Sequence, residues 1–223
     1  MSDGVDEMDT PRERLIAAGV REFAAEGFTG ASMRRLTAAA GTNVAAVKYY
    51  FGSKEGLYHA VVERFFAQIQ PERMALLAEA RAQPPERPGR VDSVLHAMVA
   101  PHLRLMNTPG GEPYLRLLAR FSSEPRDITI RVYQEEIRPM RERLIDVLAE
   151  SLPELARPRL IRLFGFVATV MVVAPFDRGY QAMLGDGDAA TDPEDLIDVI
   201  VSFCAAGLCH EARRAREEGP VTG

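Results

Sequence analysis

Tryptophan is absent from this chain, and cysteine and lysine occur only twice each in 223 residues. Two cysteines, Cys204 and Cys209, are too few for a disulfide framework and too sparse for a zinc site, so they read as packing residues in a reducing compartment. Long apolar runs are missing as well. The longest without a charge, 163–176, is 14 residues, against the roughly 20 that cross a bilayer. No basic segment leading into an apolar core opens the chain, so a soluble, cytoplasmic protein with no membrane partner is expected. Catalytic constellations are equally scarce: there is no Ser-His-Asp set and no paired carboxylates, and His59, His96 and His210 lack companions at ligand spacing. No catalytic residue, metal or cofactor is expected.

Hydrophobic residues make up 47% of the chain, enough to bury a sizeable core. The net charge of −5 is unevenly spread. Residues 1–10 hold Asp3, Asp6, Glu7 and Asp9 and no base, whereas 11–55 hold seven bases against four acids and include both lysines, Lys48 and Lys54. Because phosphate attraction is local, screened within roughly 10 Å at 0.1 M salt, an acidic chain can still present a basic face.

Apolar residues recur at helical spacing almost throughout, and no stretch alternates at period two with β-branched enrichment, so the fold class is all-α. Thr10-Pro11 is an N-cap followed by proline at the first helical position, and that helix stops at Gly27. Ser32 caps a second helix to about Ala40, and a third runs from about Thr42 or Asn43 to Phe51. Ser53 caps a fourth, which meets Pro71 and bends or restarts on its way to about Ala82. A proline-rich loop, 83–89, follows. Further helices are predicted at about 91–107, 113–121, 127–150, 157–183 and 193–215. The resulting organisation is an acidic tail at 1–9, a three-helix N-terminal domain at 10–56, a C-terminal helical bundle at 57–215 and a tail at 216–223.

Two short helices joined at a glycine and resting on an apolar helix have the layout of a helix-turn-helix. Leu36 and Val47 point into a small core with Phe23 and Phe28, while Gly41 permits a sharp turn. Arg34, Arg35, Asn43, Val44, Ala45, Lys48 and Tyr49 are left facing outward. Small residues let such a helix enter a major groove roughly 12 Å wide; Val44, Ala45 and Ala46 offer methyl groups to thymine, and Lys48, Asn43 or Arg34 offer hydrogen bonds to bases. Ser32, Tyr49, Tyr50 and Lys54 suit phosphate oxygens. Met33 and Thr42 complete the candidate DNA-binding set.

The run Ser32-Met-Arg-Arg-Leu-Thr-Ala-Ala-Ala-Gly41, followed by Lys48-Tyr-Tyr-Phe-Gly-Ser-Lys-Glu-Gly-Leu57, resembles the DNA-binding module of the tetracycline-repressor (TetR) family. The resemblance implies that Arg34, Val44, Ala45, Ala46, Lys48 and Tyr50 face bases and that Ser32, Tyr49 and Lys54 hold the backbone. Lys48 stands where the family usually has tyrosine, so an operator cannot be transferred from a relative. More weakly, Leu103-Arg-Leu through Pro109-Gly-Gly and Tyr114-Leu-Arg-Leu-Leu-Ala-Arg120 resemble the effector domains of members that answer to fatty acids or acyl thioesters.

That resemblance implies a homodimer on double-stranded operator DNA, released by a small hydrophobic effector. Candidate effector-binding residues are Met98, His102, Met106, Arg116, Leu117, Arg120, Phe121, Tyr133, Phe166 and Met171. An arginine buried without a partner would cost several kcal/mol, so one of them could receive a carboxylate or phosphate. The 158–176 stretch is apolar on nearly every side and calls for cover all round; with the last helix it nominates Ile161, Phe164, Ala168, Ile200, Phe203 and Leu208 for the dimer interface. The alternatives are a drug- or xenobiotic-sensing repressor of an efflux system and, in another class, a ligand-binding helical module without DNA function.

Overall fold

A computed structural model describes residues 10–108, 110–176 and 192–218. Among the described residues every regular element is helical, as the spacing of apolar residues predicts. The chain forms two compact units, Met1–Gln68 with Pro109–Ile137, and Ile69–Thr108 with Arg138–Gly223. The sequence suggests a cut at 56/57; compactness instead groups the 109–137 segment with the N-terminal helices.

In the first unit, α1 (Pro11–Gly30) starts at Thr10, whose hydroxyl accepts from the N–H of Glu13 at 3.2 Å. Leu15, Ile16 and Phe23 face inward, and helical geometry breaks at Gly27 (φ 70°, ψ 176°), the predicted stop. A further turn continues to Gly30. Next come α2 (Met33–Ala39) and α3 (Val44–Phe51), with Ser32 and Asn43 at their N-caps. The first part of α4 (Lys54–Ala82) follows, and the Ser53 hydroxyl accepts from the N–H of Gly56 at 3.1 Å. A side chain at residue 56 has no room: a Cβ there would lie 1.9 Å from the carbonyl oxygen of Phe51. Two more helices, α6 (Gly111–Arg120) and α7 (Arg126–Val132), complete the unit, and α6 packs along α1. Phe23, Leu36 and Val47 form the predicted small core, with half-buried Phe28 stacked on Phe23 at 6.2 Å; Leu57 and Tyr58, the latter edge-on to Phe23 at 5.1 Å, join it.

The second unit contains the later part of α4, α5 (Arg90–Arg104), α8 (Arg138–Ser151), α9 (Arg157–Val173) and α10 (Pro193–Glu218). Its core runs through Val94, Leu95, Val99, Leu103, Leu144, Leu148, Leu160, Ile197 and Leu208. Truncating one of these leucines to alanine costs about 2–5 kcal/mol. Arg90 is buried, donating to the carbonyl of Ala80 and pairing with Glu150 at 2.7 Å. It thereby joins α4, α5 and α8.

Three boundaries differ from expectation. The predicted 127–150 helix is interrupted by a π-helical segment, Tyr133–Ile137, just before Pro139, which has no N–H to give a regular ladder. At Pro71 α4 does not restart but runs on as one helix to the expected end at Ala82, and the last helix reaches Glu218 rather than 215. The 177–183 part of the predicted 157–183 helix, the 1–9 tail and residues 219–223 lie outside the described residues.

Candidate nucleic-acid interface

The geometry of α2 and α3 follows from their caps and from one buried side of each. The Ser32 hydroxyl accepts from the N–H of Arg35 at 3.4 Å, and the Asn43 carboxamide accepts from the N–H of Ala46 at 3.1 Å. Leu36 and Val47, almost fully buried, turn the opposite sides of both helices to solvent. That exposed side carries Arg34, Asn43, Val44, Ala45, Lys48, Tyr49 and Tyr50. Val44 is 50% exposed and Tyr49 82%, and the Tyr49 and Tyr50 rings meet edge to face at 4.9 Å. Met33, Thr42 and Ala46 are half-buried, with the Thr42 hydroxyl on the carbonyl of Thr37 at 3.4 Å.

The four cationic candidates differ in how free they are. Neither Arg34 nor Lys48 has an ion-pair partner among the described residues. Arg35 is held: its Nε and Nη2 donate to Glu22 Oε1 at 3.1 and 2.7 Å, and Glu26 lies 3.2 Å away. Glu22 also accepts from the N–H of Ser32 at 2.6 Å. Partial burial opposes its ionisation, but the bonds from Arg35 and Ser32 prevail and hold its carboxyl below the usual carboxylate range. Lys54 is held as well, with Nζ donating to the carbonyl of Ala31 at 2.7 Å and lying 5.0 Å over the Phe28 ring. Arg14 donates to the carbonyl of Ala40 at 3.1 Å and so closes the end of α2. Outward-facing candidates are thus of two kinds: those that orient α2 and α3, and those left to meet a partner.

The effector candidates divide between the two units. Leu117 is buried in the first unit, Phe121 and Tyr133 are half-buried, and Arg116 pairs with Glu112 at 2.8 Å on the surface. Arg120 is exposed beside Gly27. Met98, His102 and Met171 are buried in the second unit, and Met106 is half-buried there. Phe166 faces outward at 63% exposure. The second unit also has a cleft of about 560 Å³ lined by Leu76, Ala80, His96 and Val201 together with Glu79, Asp92 and Asp198.

Of the dimer candidates, Phe164, Ile200 and Leu208 turn into the core of the second unit, Ile161 and Ala168 are half-buried, and Phe203 is 71% exposed. Helical phase makes the difference. On α9 the large exposed apolar residues are Phe166 and Val173, and on α10 they are Val199 and Phe203. Glu22 and Arg73 were not singled out by the sequence. Arg73 had a readable signal, since it occupies the position between Ile69 and Leu77 in a stripe of four-residue spacing.

A two-helix reading head with caps, an inward core and an outward face of small, aromatic and basic side chains defines a helix-turn-helix DNA-binding protein. Residues 15–61 match the family model "Bacterial regulatory proteins, tetR family", and residues 96–207 match "Tetracyclin repressor-like, C-terminal domain". The chain belongs to the TetR family of transcriptional regulators.

It is similar to the HTH-type transcriptional repressor SCO4008 of Streptomyces coelicolor, 27% identical over 82% of this chain and 88% of that one. A shorter match, 40% identical over 29% of this chain, is to the transcriptional dual regulator CecR of Shigella flexneri; another, 38% identical over 27%, is to the repressor NicS of Pseudomonas putida. These two matches span only 37% and 29% of the relatives' own lengths. Solved structures with the same fold include a transcriptional regulator from Rhodococcus sp. Rha1, with TM-score 0.57, 21% identity and coverage of 89% and 97% of the two chains. PfmR of Thermus thermophilus gives TM-score 0.58, 14% identity and coverage of 86% and 97%. No helix among the described residues is long and apolar enough to cross a membrane.

Proposed function

We propose that this regulator is a homodimeric repressor that holds a palindromic operator and lets go when a small hydrophobic effector, a fatty acid or its acyl thioester, binds its C-terminal region. The supporting observation is that Arg34 on α2 and Lys48 on the alanine-faced α3 are exposed and have no ion-pair partner among the described residues, while neighbouring Arg35 and Lys54 are tied to the protein. Arg34 reads a guanine edge, Lys48 and Asn43 supply further hydrogen bonds, and Tyr49 and Tyr50 hold phosphates. A gel shift with purified full-length protein and the DNA around its own gene tests the reading. Equal binding to that DNA and to an unrelated duplex would sink it.

Two such heads must sit roughly 34–36 Å apart or a multiple of that distance, which calls for a second copy. The exposed strip of Phe166 and Val173 on α9 with Val199 and Phe203 on α10 is the face for it, because isolated surfaces seldom leave several large apolar side chains together. Gly165 and Gly207 have open space where a Cβ would stand, so a partner helix can approach closely. Release is a population shift: the effector favours a conformation in which the heads are wrongly spaced, and DNA affinity falls by the coupling factor.

The second reading, a drug-sensing repressor, draws on the acids of the second unit's cleft, where Glu79, Asp92 and Asp198 would attract an organic cation.

A further inference from the structure

Arg73 is 4% exposed, between Ile69 at 3% and Leu77 at 4% on the inward stripe of α4. Its Nη2 donates to the carbonyl of Met98 at 3.2 Å, and its Nε is buried with no partner among the described residues. Burial strips the guanidinium of water and brings its pKa down to about 10, although the charge of Glu72 opposes this. The neighbouring carboxylate Glu72 is already committed: it receives Arg104 Nη1, while Arg104 Nε and Nη2 go to Glu194 at 2.7 and 2.9 Å. His102 supplies no negative charge, and its pKa is driven down to about 3 by burial and by the charge of Arg73. A buried cation without a counter-ion is among the costlier features a core can carry. Among the described residues no carboxylate bonds to this one, and Glu72 acts on it only through its charge.

We propose that Arg73 is the anchor for the carboxylate of an amphipathic acid, which makes the effector a free carboxylic acid on an apolar body. The inference rests on the effector-responsive reading above and narrows it, since an acyl thioester has no carboxylate at the end of its chain to present. A single carboxylate balances a single guanidinium and can accept the unused Nε–H together with an Nη–H in a two-pronged contact. A phosphate would bring excess negative charge beside a histidine that is held neutral. Leu76 and Ala80 line the cleft three and seven residues beyond Arg73 on the same side of α4, which offers an apolar body a surface to lie on. The acids Glu79, Asp92 and Asp198 at that cleft repel an anionic head and favour its placement at Arg73.

The test uses full-length protein and titrates it with dodecanoate, dodecan-1-ol and dodecylamine, read by calorimetry and by thermal shift. Dodecanoate is expected to bind at least about tenfold more tightly than the alcohol, the scale of one charge-assisted contact. Arg73→Met should erase that preference and keep or raise the melting temperature of the free protein, because it removes an uncompensated charge. Arg73→Lys should retain part of the preference. Equal binding of acid and alcohol, no binding of either, or an acid preference that survives in Arg73→Met would each overturn the proposal. Stronger binding of the amine would overturn it in favour of the cationic cleft. The comparison on unmutated protein needs no variant to fold. Operator binding by ligand-free protein is measured separately, so a failure of the regulator reading shows there and not in the acid titration.

Discussion

Glu124 accepts the backbone N–H of Phe28 at 2.9 Å across 96 positions of sequence, at the point where α1 breaks. The carboxylate thereby satisfies an amide that the break at Gly27 leaves outside the helical ladder. It lies in the segment between α6 and α7, so it fastens that segment to the helix on which the reading head rests. A Cβ at Gly27 would come within 2.8 Å of the same carboxylate oxygen.

Glu124→Ala is expected to destabilise the protein by about 1–3 kcal/mol, the range for a partly buried hydrogen bond to a charged acceptor. Gly27→Ala should cost about 1–3 kcal/mol through its positive φ alone, plus the clash with Glu124. Urea denaturation of both single variants and the double variant measures the coupling. Strict additivity would show that the two residues do not act on one another.

Arg34 and Arg35 are adjacent, yet opposite outcomes are expected of them. Arg34→Ala should lower operator affinity by roughly 1–3 kcal/mol, about 10- to 100-fold, with little change in melting temperature. Arg35→Ala should lower the melting temperature through loss of the Glu22 contacts and affect DNA binding less. Fluorescence anisotropy on the operator and on a scrambled duplex, alongside thermal melts, separates the two.

Glu22→Gln isolates the charge at that junction. Since the folded-state pKa of Glu22 is depressed, its contribution to stability is present above the ordinary carboxylate pKa and is lost as pH falls through the lower folded value. The variant should therefore be less stable than the parent at neutral pH, and the difference should shrink on acidification below about pH 4.5. Melting curves from pH 7 to pH 3 check the sign.

Phe203→Asp places a charge on a side chain that is 71% exposed, so the fold should survive. Dimerisation should not. Sedimentation is expected to show a monomer with unchanged helical content, and operator affinity should fall steeply. An intact dimer would move the interface away from the α9 and α10 strip.

The helical class, the caps at Thr10, Ser32 and Ser53, and the outward residues of α3 were readable because they depend on local spacing and on side chains acting within three residues. Partners far apart in sequence were not. Nothing near Glu22 points to Ser32, and nothing near Phe28 points to Glu124. The dimer candidates illustrate a second limit: Phe164 and Phe166 are both apolar and two residues apart, yet a helix turns them about 200° from one another, so apolarity alone cannot say which faces the core. Arg73 was legible only in part: the stripe spacing puts its position on the inward side of α4 but does not say that the charge stays buried there. Among apolar neighbours at four-residue spacing, an arginine looks like an interruption until its burial is known.

The lack of space at Gly56 leaves a different kind of mark. With Phe51's carbonyl where any side chain would begin, the joint between α3 and α4 has one permitted residue and one bend. A side chain at 56 would have to push that backbone, and the end of the reading helix with it, out of place. What remains free to vary is the exposed surface of α3, where Lys48 stands, and not the corner that carries it.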